Sequence, residues 1–136
     1  MMMKKIKPGD TYVHKVRFNR MDTLIFARIT GDNNPLHIDA EYAKTTPFGR
    51  CIVHGFLAGA VFSKVFGTLF PGEGTIYLGQ EMAFRAPVFM DEPYTARFEV
   101  ISVNEEKQRG IIKCTLENAE GKICIDGQAK LKSARF

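Results

Sequence analysis

Cys51-Ile52-Val53-His54-Gly55-Phe56-Leu57-Ala58-Gly59-Ala60-Val61-Phe62-Ser63-Lys64-Val65-Phe66-Gly67-Thr68-Leu69 is the stretch whose reading decides the fold. Its length and composition predict one long helix over 51–69, apolar nearly all round. A helix of that kind is buried on most sides. In a small domain such burial requires a curved sheet wrapped around the helix. His54, Ser63 and Lys64 interrupt the run, which argues against a membrane span. Gly55, Gly59, Ser63 and Gly67 recur every four residues, so small side chains form one drifting groove. That groove suits either close packing of a strand or partner helix, or a slot for a flexible ligand chain.

The flanking sequence supplies the sheet. Pro71-Gly72-Glu73-Gly74 breaks the helix, and strands are expected over 75–84, 94–103, 110–117 and 122–131. Thr95, Arg97 and Glu99 alternate with Ala96, Phe98 and Val100, the pattern of a half-buried antiparallel strand. Upstream, Pro8-Gly9-Asp10 turns into a short strand ending near Phe18. Asn19 suits a helix N-cap and Asp22 the first turn, with Leu24, Ile25 and Ile29 giving the apolar stripe and Gly31 the stop. Asn34-Pro35 calls for an extended or turn geometry rather than a helix, and Asp39 caps a short helix over 40–44. The order is strand, helix, long buried helix, then strands: an α+β fold, read as one domain over 1–136.

Bulk properties narrow the function. The 136 residues carry a net charge of +4 with Lys and Arg scattered, which disfavours nucleic acid and suits an anionic small molecule. Cys51, Cys114 and Cys124 lack CxxC spacing and read as reduced thiols, consistent with a cytoplasmic setting. Met1-Met2-Met3-Lys4-Lys5 has no apolar stretch after it and does not read as a signal peptide. His14, His37 and His54 are far apart in the chain and no HExxH or Cys/His cluster is present, so no metal is expected.

The chemistry-bearing stretch is Gly31-Asp32-Asn33-Asn34-Pro35-Leu36-His37. A carboxylate and an imidazole can share one water, one taking a proton while the other gives one. Gly55 lies early in the long helix, where amides lack intrahelical partners and an oxyanion can be received; it equally suits close packing. His54 reads as a core or cap histidine. Ser63 suits a bond to the backbone one turn back.

Phe26 to His37 resembles the signature of MaoC-like (R)-specific enoyl-CoA hydratases, the hydratase 2 group. The likeness continues in Phe48-Gly49-Arg50, Ile52-Val53-His54-Gly55, Ile76-Tyr77-Leu78-Gly79-Gln80 and Phe84-Arg85-Ala86-Pro87-Val88, and so spans nearly the whole chain. It implies a hot-dog fold and a homodimer. It implies that Asp32 and His37 are the catalytic pair holding the water that adds to a trans-2-enoyl-CoA. It matches Gly55 to the amide that binds the thioester carbonyl, and Asn34 and Ser63 to supporting positions. No cofactor is implied, coenzyme A being part of the substrate, and no membrane partner. Two departures stand out. The run Met90-Asp91-Glu92-Pro93 replaces a Gly-Asp turn, and Phe66 sits where bacterial relatives carry an aliphatic residue. If Phe66 points into the acyl slot, it shortens the slot and favours short acyl chains. Competing readings are a dehydratase working on acyl carrier protein and a non-catalytic acyl-CoA-binding module. A thioesterase fits less well, since 51–69 contains no carboxylate.

Overall fold

Asn19 starts the first helix in a reciprocal capping box: its side chain accepts from the Asp22 amide at 2.9 Å, and the Asp22 carboxylate accepts from the Asn19 amide at 2.9 Å. The computed structural model describes residues 4–136. Strand β1 (Thr11–Val16) precedes this helix, α1 (Arg20–Thr30). Gly31 ends α1 in the left-handed region at φ 78°, donating to the Ala27 carbonyl. Two short helices follow, α2 (Pro35–Ile38) and α3 (Ala40–Lys44), then α4 (Gly55–Thr68). The chain closes with β2 (Ile76–Phe84), β3 (Tyr94–Asn104), β4 (Arg109–Glu117) and β5 (Ile123–Lys132).

The five strands form one antiparallel sheet in the order β1-β3-β4-β5-β2. The last four strands match the sequence expectation to within one residue at each end, because apolar alternation and turn residues agree there. On β3, Ala96, Phe98 and Val100 are buried while Arg97 and Glu99 face solvent. Phe62 and Phe66 of α4 meet the Phe98 ring edge-on, with centroids 5.8 and 5.3 Å apart. Cys114 and Cys124 are buried and all three cysteines are free. The turn at Met90-Asp91-Glu92-Pro93 is closed by Asp91 in the left-handed region at φ 62°, the conformation a glycine there would adopt freely.

Three expectations are corrected. The long helix starts at Gly55, not Cys51. Ile52 instead forms a β-bridge with Phe89, and the Val53 amide donates to the Val88 carbonyl at 2.7 Å. Apolar runs do not distinguish a buried extended segment from a helix, and the 88–89 segment claims these backbone groups. Second, α4 is covered on one side only. Ala58, Val61, Phe62, Val65 and Phe66 are buried, but Phe56, Ala60, Ser63, Lys64 and Gly67 are exposed, because a single sheet layer shields one face. The small-residue groove is filled by β2 along its first half. A Cβ at Gly55 would meet the Phe84 ring at 2.8 Å and one at Gly59 the Met82 sulfur at 2.9 Å, whereas Gly67 is open. Third, His37 sits on a one-turn helix. Asn34 keeps the extended ψ that a following proline demands and caps that turn, accepting from the Leu36 amide at 3.1 Å.

Candidate active site

Asp32 follows the end of α1 on an exposed loop, and local bonds set its course. Its amide donates to the Thr30 hydroxyl at 3.2 Å, and its carboxylate accepts from the Asn34 amide at 3.3 Å. Asn34 thus acts on the loop twice, through its amide toward Asp32 and through its side chain toward α2.

His37 is turned inward by its short helix and is largely buried. Its Nδ1 lies 2.8 Å from the Ile52 carbonyl. A carbonyl only accepts, so Nδ1 carries the hydrogen and Nε2 is left for a water or substrate. The Ile52 amide in turn donates to the Leu36 carbonyl at 3.3 Å, so α2 is clamped to the segment leading into α4.

The histidines expected to stay apart do not. His37 and His54 stack with ring centroids 4.0 Å apart and planes 29° from parallel. His54 is 1% exposed, and its Nε2 donates to the Asp32 backbone carbonyl at 3.1 Å. Burial pushes its pKa below the usual imidazole range. The bond to the Asp32 carbonyl opposes this, and nearby His37 adds to the lowering. Asp32, His37 and His54 bring donor atoms within 4.8 Å of one another, a spacing that by itself suits a metal ion. The hydrogen bonds argue the other way: His37 Nδ1 and His54 Nε2 are each spent on a backbone carbonyl, and His54 Nδ1 is sealed from solvent. His14 lies elsewhere, beside Lys64.

Gly55 is the first residue of α4, so its amide has no intrahelical acceptor, and it finds none elsewhere among the described residues. Asp32, His37, His54 and Gly55 line one cavity of about 590 Å³, walled by Phe26, Phe48, Phe56 and Phe84. The positive end of α4 therefore faces an apolar space beside a carboxylate and an imidazole. Ser63 and Phe66 are not on this cavity. Ser63 lines a separate groove between α4 and β2. Phe66 is 1% exposed, packed edge-on against Tyr77 and Phe98. It lies eleven residues beyond Gly55, about 16 Å along the helix and away from this cavity. Sequence reasoning read His54 as a core or cap histidine, as its burial at the head of α4 bears out, but did not bring it against His37, and it assigned no role to the aromatic walls. No local pattern marks them, since they meet only when α1, α2 and α4 pack.

The MaoC-like domain model matches residues 4–121. The chain belongs to the MaoC-like domain family. Among its MaoC-like relatives, the (R)-specific enoyl-CoA hydratase of Aeromonas caviae is 39% identical over 116 residues, covering 85% of this chain and 87% of that protein. The 3-hydroxybutyryl-CoA dehydratase of Methylorubrum extorquens is 35% identical over 127 residues, covering 93% and 80%. A solved (R)-hydratase from A. caviae, described as involved in PHA biosynthesis, superposes with a TM-score of 0.91 at 35% identity, covering 96% of this chain and 98% of that one. The MaoC-like chain thus has the hot-dog fold, and its α4 is the central helix of that fold. Among the described residues no helix is long and apolar enough to cross a membrane.

Proposed function

We propose that this chain is an (R)-specific enoyl-CoA hydratase, a hydro-lyase that reversibly adds water to a trans-2-enoyl-CoA. The observation that carries the reading is the convergence of Asp32, His37 and the free Gly55 amide on one apolar cavity. The thioester carbonyl accepts from the Gly55 N–H. As the water oxygen bonds to C3, the π electrons move onto that carbonyl oxygen, and the amide and helix dipole stabilise the enolate. Between them Asp32 and His37 remove one proton from the water and return one to C2, so the pair ends each turnover as it began. No cofactor enters this scheme, and coenzyme A travels with the substrate.

The test follows the enoyl-thioester absorbance with crotonyl-CoA, with chiral analysis of the product. Asp32→Asn and His37→Ala should each lose at least about 10²-fold in rate. Near-full rates in both would sink the reading, and binding without turnover in the unaltered protein would favour an acyl-CoA-binding module. The name of the Methylorubrum relative supports short acyl chains here too. Crotonyl-CoA should outpace octenoyl-CoA, and the reverse order would refute that preference.

A homodimer is part of the same proposal. Phe56 is 70% exposed on α4, and Ile76 and Leu78 are 54% and 45% exposed on the edge strand β2, apolar side chains on the open flank that a second copy would cover. A single-chain mass in sedimentation at working concentration would overturn this. Three free cysteines support a reducing, cytoplasmic setting.

A further inference from the structure

His54 occupies the N-cap position of α4, where a side chain ordinarily accepts from a helix amide, yet it makes no such bond. Its ring instead packs against two others. Phe26 of α1 approaches one side with centroids 4.8 Å apart at 52°, and His37 of α2 stacks on it at 4.0 Å. The Nε2–H is committed to the Asp32 carbonyl. One imidazole therefore bonds to the backbone of Asp32, supports the ring of His37, and is joined by a single peptide to Gly55.

We propose that His54 is the positioning residue that sets Asp32 and His37 relative to the Gly55 amide; this rests on the hydratase reading above. The loop at 31–34 is otherwise held by bonds within its own neighbourhood, to Thr30, Gly31 and Asn34. His54 is the hydrogen bond that ties it to the start of α4. The ring is unsuited to carrying protons itself. Its Nδ1 is buried without any partner. A proton there would bury a cationic N–H with no acceptor, against the face of His37. With Nε2 bonded to a carbonyl and Nδ1 sealed from solvent, the group holds geometry rather than exchanging protons.

Two substitutions separate the ring from the bond. His54→Phe keeps an aromatic face against His37 and removes the donor. His54→Gln keeps an N–H near the Nε2 position and removes the ring. With crotonyl-CoA, His54→Phe should lose about 10- to 100-fold in kcat, the scale of an ångström-sized misplacement, with KM changed less than about threefold. His54→Gln should recover part of that loss. Nitrogen NMR of the unaltered protein at neutral pH should find His54 protonated at Nε2 and bare at Nδ1, which keeps the proposal testable if His54→Phe does not fold. Unchanged kcat in a folded His54→Phe, an equal loss in His54→Gln, or a proton on Nδ1 overturns it. Asp32→Asn runs alongside. If Asp32→Asn loses rate and His54→Phe does not, the positioning role alone fails. If Asp32→Asn and His37→Ala both keep near-full rates, the hydratase reading fails and takes this role with it.

Discussion

The two ends of one helix are built on different terms. The start of α4 gathers polar groups, His54 and the Gly55 amide, beside Asp32 and His37, and directed hydrogen bonds hold them. Two and three turns on, Phe62 and Phe66 are held by shape alone, edge-on to Phe98 in a sealed core. Asp32 and Gly55 can be changed without emptying the core, and Phe66 can be truncated without touching the polar groups of the first region. Rate and stability should therefore separate along this helix.

The largest effect should come from the core end. Phe66→Ala removes a buried ring and should cost about 3–5 kcal/mol, read as a shift in the denaturant midpoint. Its rate per folded molecule on crotonyl-CoA should stay near that of the unaltered protein. A selective rate loss on longer acyl chains would instead place Phe66 in the acyl slot. Next comes the polar end. Asp32→Asn should move the unfolding midpoint little while losing the rate stated above, since the side chain is exposed and its one backbone bond can be kept by an amide oxygen. A large stability loss would blur the contrast. Gly55→Ala, at the same polar end, is milder. Its methyl would press on the Phe84 ring, which is half exposed and can yield. The expected result is a loss of about tenfold in rate with little change in melting temperature, and full activity would show that Phe84 does not shape the cavity.

The smallest effect is in pH. The folded-state pKa of His54 lies below its unfolded value of 6.5, so below that pH the unfolded chain binds more protons. Stability should be fully present above about pH 7.5 and should fall as pH drops through 6.5. His14, whose pKa burial and Lys64 also lower, contributes with the same sign. Melting scans of the unaltered protein and His54→Phe would isolate the His54 share. An identical slope in the two would show that His54, facing His37 and Asp32, titrates freely.

The sequence revealed those features that local chemistry dictates. The Asn19 cap, the Gly31 stop, the Asp39 cap of α3 and the four closing strands were all readable, because each depends on residues within a turn or an alternating run. Asp32 and His37 were legible for the same reason, five residues apart on one stiff loop. The start of α4 was not, because Ile52 and Val53 pair with Phe89 and Val88, more than thirty residues away. Nor was the place of His54, which depends on α1 and α2 both arriving at one ring. The one-turn helix at His37 escaped notice because Pro35 discourages helix before it and favours helix from it.

The partner that fixes the hydrogen of His37 is the carbonyl of Ile52, a backbone atom. No substitution at residue 52 deletes a carbonyl. The side chain there lines the cavity and can vary without touching that bond. Over evolutionary time this uncouples the shape of the cavity from the orientation of the imidazole.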